Sequence, residues 1–267
     1  MDSQAAKRRD MFEPSVLVGT ADQARSRKER FEERFSWRKA FTPFNLLFAL
    51  FALLYAAAFW NHLSRWWFNP LITTDDALQQ SFIFHAVTHP HIFAGDLIYN
   101  AMKGYLAPLH YWINYAITLL TQDPVMTGHW VMLLQLVPCV LFIFLGVRAA
   151  SAAIPAYLGV MWLLHTRNVV QRLTGGLPRG WAAPLLAAYL CFALRGNHKL
   201  VLLTLLIGCL THPPATALAA LSYGLLLLWR VACKETRESH VKPLLVYLAL
   251  SPLYLALTFY VIHRPPE

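Results

Sequence analysis

Apolar segments separated by shorter polar stretches constrain the fold of this chain more than any other feature of its sequence. The hydrocarbon core of a bilayer is about 30 Å thick, so about 20 apolar residues in a helix cross it. A helix also satisfies every backbone hydrogen-bonding group within one segment, as lipid requires. The pattern predicts an all-α fold, a polytopic transmembrane helical bundle with about seven to eight apolar segments. They lie at about 42–62, 105–121, 128–147, 152–166, 181–195, 200–213, 214–231 and 243–262.

The composition supports lipid as the surrounding solvent. Hydrophobic residues make up 57% of the chain and charged residues 14%, whereas soluble domains average about 45–50% and about 25%. Ten of the 23 Lys and Arg lie in residues 1–40, together with seven of the 14 acids, so the net charge of +9 is mostly an effect of the tail and the loops. The chain lacks the aromatic and basic signature of a nucleic-acid-binding fold. We therefore expect membrane lipid as a partner and no nucleic acid.

The sequence divides into a charged tail, residues 1–40, and a transmembrane helical domain, residues 41–264, whose first external loop spans about 63–104. The tail is too long and too charged to be a secretory signal peptide. Cytoplasmic segments carry the excess of Lys and Arg, so the tail belongs on the cytoplasmic side. We expect a multi-pass protein of the cell inner (plasma) membrane with its N-terminus in the cytoplasm.

Two arrangements of the membrane segments are open. The positive-inside rule places Arg148, residues 195–199 and residues 230–242 in the cytoplasm. This placement requires the segment 105–121, which is rich in Tyr, Trp and His, to lie at the interface instead of crossing. Residues 165–180 and the first external loop then share the outer face, which is the arrangement we favour. If every segment crosses the membrane instead, that shared face is lost.

Two adjacent acids, Asp75 and Asp76, follow the first apolar segment and the aromatic stretch 66–68, which is typical of a membrane-interface belt. Thr73 or Thr74 before them favours a helix start, where the helix dipole stabilises acids. In the functional interpretation, a carboxylate at the membrane surface acts as a general base or ligates a divalent cation. Only one of two adjacent residues can point into a given site, and the spacing does not identify which.

Short amphipathic helices are predicted in the rest of the first external loop, from "ALQQSFIFHAVTH" and "HPHIFAGDLIYN". Asp96 after Gly95 favours a helix N-cap, and as a second acid it also suits a cation site or the orientation of a base. His85 and His89 have the i, i+4 spacing of zinc ligands, but no HExxH motif or fourth ligand accompanies them. We expect interfacial imidazoles there rather than zinc ligands.

A basic loop, "RNVVQRLTGGLPRG", breaks the apolar pattern with Arg172, Arg179 and a Gly-Gly pair. Guanidinium groups bind phosphate oxygens in bidentate geometry, so on the outer face these arginines are candidates to bind a lipid phosphate. On the cytoplasmic face they would form an ordinary basic loop. His212, in the turn "THPP", is expected on the same face as the loop, either as a phosphate contact or as a helix-end histidine.

The order of these features resembles the GT-C superfamily of integral-membrane glycosyltransferases, and within it the bacterial protein-mannosyltransferase-like members. The resemblance is carried by the acidic pair after the first segment, "ALQQSFIFHAVTHPHIFAGDLIY", "PLHYW", the Arg-Gly-Pro-Arg loop and the "HPP" turn. It covers about residues 40–232, through motifs that are short and degenerate.

The resemblance implies an enzyme that transfers a sugar from a polyprenyl-phosphate-linked donor to an acceptor on the non-cytoplasmic face. Asp75 or Asp76 would act as base or metal ligand, with Asp96 as a secondary acid. Arg172 and Arg179 would contact the phosphate of the donor. The family includes members with and without a divalent metal, so the resemblance leaves Mg²⁺ or Mn²⁺ as an open alternative.

Members of the family are usually longer than this chain, which leaves three interpretations: a minimal core, a truncated product, or a relative that needs a partner membrane chain. The main functional alternative is a non-catalytic transporter or flippase-like subunit for a lipid-linked or anionic substrate, which needs the arginines but no base. The other alternative is a haem or quinone protein, which requires histidines that face each other in pairs within the bilayer. Its candidates are His110, His129, His165 and His212.

Overall fold

The computed structural model describes residues 43–67, 69, 71, 73–233 and 237–262, and within them all regular structure is helical, with no strand. The predicted tail, residues 1–40, lies outside the described residues. The side chains of the predicted aromatic belt, Trp66, Trp67 and Phe68, lie outside them too. The predicted all-α fold class is therefore confirmed for the described part of the chain.

The α-helices follow the apolar segments closely. In chain order they are α1 Pro43–Trp67, α2 Asp75–Ser81, α3 His85–Thr88, α4 Leu97–Tyr105, α5 Pro108–Thr121, α6 Pro124–Ala150, α7 Ala153–His165, α8 Arg167–Leu173, α9 Ala182–Leu194, α10 His198–Thr211, α11 Pro213–Ala232 and α12 Arg237–Ile262. Short 3₁₀ turns occupy Phe82–Phe84, Pro90–Phe93, Thr174–Gly176 and Pro178–Trp181.

Within the part of the chain that the structure describes, three stretches of helix are long and apolar enough to cross a membrane: α6, α11 and His240–Val261 within α12. Shorter apolar stretches occur in α1, α7 and α10. A helix of 14 residues, such as α5, is shorter than the span of about 20 residues that a bilayer requires. The membrane character of the chain is thus supported by its helices, while the number of crossings stays a prediction.

Local sequence explains why the central helix α6 begins where it does. The Asp123 carboxylate accepts hydrogen bonds from the backbone N–H groups of Val125 and Met126, at 2.8 and 3.3 Å. Pro124 occupies the first helical position, where its missing N–H costs nothing. Thr127, one turn on, joins α6 to the end of α5 through hydroxyl contacts with Thr118 and Thr121.

The chain forms two compact units. The smaller comprises Met1–Leu54 and Leu225–Val246, of which residues 43–54, 225–233 and 237–246 are described. The larger comprises Tyr55–Gly224 and Tyr247–Glu267, described except for 68, 70, 72 and 263–267. The acids, arginines and His212 singled out in the sequence all lie in the larger unit.

Helix α6 is the centre of the larger unit and packs most extensively on α9, which runs alongside it in the same direction. Near their N-terminal ends Val131 lies in one apolar cluster with Leu185. Near their C-terminal ends the Cys191 backbone lies so close to Gly146 that an added Cβ on the glycine would be 3.3 Å from it. Arg195, just after α9, donates a hydrogen bond to the carbonyl of Leu145. The N-terminal ends of both helices therefore lie at one end of the unit, which we call the site end.

Candidate functional site

Helix α2 places the two adjacent acids in its first turn. The Thr74 hydroxyl caps the helix by accepting a hydrogen bond from the Ala77 backbone N–H at 3.3 Å. Asp75 and Asp76 are exposed, whereas Ala77 is buried. The helix-start interpretation of the pair is confirmed, because a threonine cap and two acids near the positive end of the helix dipole are what the structure contains.

The Gly-Gly pair of the basic loop allows three backbone segments to approach one another. Gly175 and Gly176 have φ of 77° and 65°, in the left-handed region that side chains disfavour. A Cβ on Gly175 would collide with the Cβ of Ala77 on α2. A Cβ on Gly128 of α6 would come within 2.8 Å of the Gly175 carbonyl oxygen. The loop therefore fits between α2 and α6 because glycine stands at these positions.

This close approach brings the acidic pair and the basic loop together. The Arg179 Nη2 atom lies 2.7 Å from Asp76 Oδ2, in an ion pair whose side chains are 49% and 52% exposed, respectively. Asp76 is therefore the member of the acidic pair that faces the arginine loop. Both charged groups remain accessible to a ligand arriving from outside the unit.

The buried side-chain amide of Gln135, on α6, holds the basic loop through a hydrogen bond. Gln135 is fully buried, and its Nε2 donates a hydrogen bond to the Leu177 carbonyl oxygen at 2.9 Å. The absence of a side chain at Gly180 makes room for this amide, because an added Cβ would collide with Gln135 Oε1. Leu177 lies two residues before Arg179, so this contact fixes the backbone on one side of the arginine.

A second buried contact fixes the backbone on the other side. Trp181 donates its indole N–H to His110 Nδ1 at 3.0 Å, and the ring of His110 is only 2% exposed. Burial lowers the pKa of His110, so the imidazole is neutral and Nδ1 is available as an acceptor. The Asn114 amide donates to the His110 backbone carbonyl at 2.9 Å and holds the start of α5. Arg179 thus lies between two anchored residues, Leu177 and Trp181.

A small cleft, lined by more apolar than polar surface, borders α2 and the loop. Its cavity volume is about 10 Å³, which is enough for about one water molecule. Its polar lining comes from Gln80 and Ser81 of α2 and from His110 and Asn114 of α5. Gln80 lies one helical turn after Asp76, so the cleft continues the face of α2 that carries the ion pair.

The other candidate residues have different surroundings. Asp96 caps α4, with Oδ1 accepting from the backbone N–H groups of Ile98 and Tyr99 at 2.7 and 3.2 Å. His212 lies in the turn before α11, where its Nδ1 accepts from the Ala215 N–H at 3.2 Å. Burial lowers the pKa of His212, which favours the neutral ring that this cap requires. Arg172 is exposed in the last turn of α8.

Asp96 and His212 therefore both hold helix ends, as the simpler interpretation of each had predicted. Their roles as a secondary acid and as a phosphate contact stay predictions, as does the donor contact of Arg172.

The described residues do not fit a metal centre built from side chains. No group of three or more His, Cys, Asp or Glu among them is arranged to hold an ion. Oδ2 of Asp76 is already engaged by Arg179. The groups available for chemistry at this site are therefore the side chains of the chain itself.

The sequence interpretation missed three residues that position the site: Gln135, His110 in its contact with Trp181, and Gly128. Gln135 carried a usable signal, because a polar amide within a long apolar helix usually faces another part of the protein. The other two become meaningful only when the loop is known to lie beside them.

Comparisons of the chain with models of protein families, with curated proteins and with solved structures found no match.

Proposed function

We propose that this protein is a GT-C-type membrane glycosyltransferase, which moves a sugar from a polyprenyl-phosphate-linked donor to an acceptor on the non-cytoplasmic face. The observation that carries the proposal is the 2.7 Å contact between Asp76 and Arg179. This contact places a carboxylate that can accept a proton next to a guanidinium that can bind a phosphate. Arg179 lies just before the apolar helix α9, and Asp76 contacts it from the short helix α2, so the head group of a membrane lipid is within reach of both.

In this mechanism the acceptor hydroxyl attacks the anomeric carbon of the donor sugar. The bond from that carbon to the phosphate oxygen breaks, and the polyprenyl phosphate leaves with the electron pair. The acceptor proton passes to the Asp76 carboxylate, which acts as general base. Arg179 stabilises the negative charge that accumulates on the leaving phosphate, through charge-assisted hydrogen bonds.

Two arginines at the end of the larger unit opposite the site support an outward-facing site. Arg195 contacts Leu145 near the C-terminal end of α6, at the end of the unit opposite the site. Arg148 lies in the last turn of the same helix. If that end is cytoplasmic, as the positive-inside rule favours, Asp76 and Arg179 face the non-cytoplasmic side. The arginines of the basic loop are then an exception to the rule, which a role in phosphate binding explains. This sidedness also agrees with α5 lying at the interface rather than crossing.

The proposal is tested by transfer of labelled sugar from polyprenyl-phosphate donors by the purified full chain. Asp76→Asn keeps the size of the side chain but removes the base, and we expect a loss of about 10²–10⁴-fold in the transfer rate. Asp75→Asn makes the same charge change one position away and serves as the matched control.

Equal rates for wild type and Asp76→Asn would contradict a glycosyltransferase that uses this base, and would favour the transporter or flippase-like subunit.

A further inference from the structure

In the free protein, Arg179 and Asp76, to which the proposed function assigns the donor and the acceptor, form an ion pair with each other. Arg179 Nη2, assigned to the donor phosphate, contacts Asp76 Oδ2, assigned to the acceptor proton, at 2.7 Å. While this contact lasts, one N–H group of the guanidinium is directed at Oδ2, and a substrate has to replace it there. Each of the two groups is therefore partly occupied by the other, although both stay half exposed.

A carboxylate and a phosphate are interchangeable ligands for a guanidinium, because each presents two oxygens at the spacing of the two N–H donors. The carboxylate in this contact is half exposed, as is the guanidinium. Ion pairs exposed to solvent to this degree are weak, since water competes for both partners. The phosphodiester of a polyprenyl-phosphate-linked sugar carries one negative charge and two free oxygens, as a carboxylate does, so it can take the place of Asp76 on the guanidinium.

The backbone on both sides of Arg179 is held in place. Leu177 is held by Gln135 and Trp181 by His110, so the backbone that carries Arg179 is fixed on both sides. Asp76 lies on the exposed face of the first turn of α2. Both partners therefore lie on backbone that is held in place, and the contact opens by rotation of the side chains while Arg179 stays within reach of the incoming ligand.

We propose that the Asp76 carboxylate occupies the position of the donor phosphate in the free protein, and that binding of a lipid phosphate to Arg179 releases Asp76 to act as base. This inference rests on the proposed function and adds an order of events to it. Binding of the donor frees Oδ2, whereas before the donor binds, water or an acceptor competes with Arg179 for that oxygen. Asp76 is at once the competitor of the donor and the group that the donor activates.

The test is the affinity of the purified full chain, in detergent, for dodecyl phosphate, measured by isothermal titration calorimetry. Asp76→Asn removes the competing charge, and we expect binding about two- to fivefold tighter than wild type, the equivalent of a surface ion pair. Arg179→Gln is expected to weaken binding by at least about tenfold. Asp75→Asn, the matched charge control, should stay within about twofold of wild type because it makes no contact with Arg179.

The double variant Asp76→Asn, Arg179→Gln separates direct competition from a general charge effect. We expect it to bind as weakly as Arg179→Gln, because the gain from Asp76→Asn depends on the guanidinium. A second titration with inorganic phosphate should show the same ratio between Asp76→Asn and wild type, since the competition concerns the phosphate group and not the lipid chain.

Two results would overturn the inference: Asp76→Asn binding no tighter than wild type, or Asp75→Asn tightening binding by as much as Asp76→Asn. With either result, weak binding by Arg179→Gln still supports the phosphate site. Conversely, wild-type affinity in Arg179→Gln would overturn the phosphate site itself, and with it the proposed function.

Discussion

The start of α4 and the junction of α2 with the basic loop contain the same kinds of residue in different surroundings. Gly95 and Gly175 have nearly the same φ, 80° and 77°. A Cβ on Gly95 would meet nothing within 4 Å, whereas one on Gly175 would collide with Ala77. Asp96 bonds to its own helix, while Asp76 bonds to an arginine from a distant segment. Packing against another segment, rather than residue type, distinguishes the candidate site from an ordinary helix start.

The largest effect is expected from Gly175→Ala set against Gly95→Ala. Both variants incur the cost of a left-handed alanine, about 1 kcal/mol. Gly175→Ala also forces α2 away from the loop, which adds about 1–3 kcal/mol of overpacking. Thermal unfolding in detergent should therefore show a lower midpoint for Gly175→Ala, accompanied by loss of binding to dodecyl phosphate. Equal midpoints and equal binding would show that the glycine contact does not hold the site together.

A smaller effect is expected from Gln135→Leu, which keeps the volume of the side chain but removes the hydrogen bond to Leu177. The carbonyl left without its donor costs about 1–3 kcal/mol of stability. Because this bond fixes the backbone beside Arg179, the affinity for dodecyl phosphate should fall as well. Ser222→Ala is the control, since it removes a 2.9 Å bond to the Tyr189 hydroxyl away from the loop.

For Ser222→Ala we expect a lower unfolding midpoint with unchanged binding. If both variants weaken binding equally, Gln135 contributes only general stability and does not position the arginine.

The smallest effect is expected at Asp96. Asp96→Ala removes the cap of α4 and should cost about 1 kcal/mol, measured by thermal unfolding. Asp96→Ser retains an oxygen able to accept the same backbone N–H bonds and should recover most of that loss. A stable Asp96→Ser protein that fails to transfer sugar would instead identify Asp96 as an acid of the reaction.

Local features of this fold could be predicted from the sequence because they depend on neighbouring residues. Apolar runs became helices, Thr74 and Asp96 became caps, and the Gly-Gly pair became a loop. Each depends on contacts within a few residues, which a pattern records directly. The placement of the acids near an arginine was also expected, although the sequence did not identify which members of each group would meet.

The supports of the site could not be predicted in the same way. Gln135 and Leu177 come from separate elements, as do His110 and Trp181. A single contact between distant residues produces no repeating pattern in the sequence. Each of these residue types also has a common structural role, so its presence alone does not indicate a partner. The contact of Gly128 with Gly175 is harder still to foresee, since a glycine has no side chain to suggest a partner.

The ion pair at the site end also has a consequence for biosynthesis. The contact between Asp76 and Arg179 joins the two ends of a stretch of chain that includes the whole of α5, α6 and α7. The ribosome completes α2 well before it reaches the arginine, so the carboxylate emerges without its partner. The pair can form only after the intervening helices have been synthesised and have folded back to bring the basic loop to α2. Its formation in a nascent chain would therefore mark the packing of the segment from α2 to the basic loop, before α10 and α11 are complete.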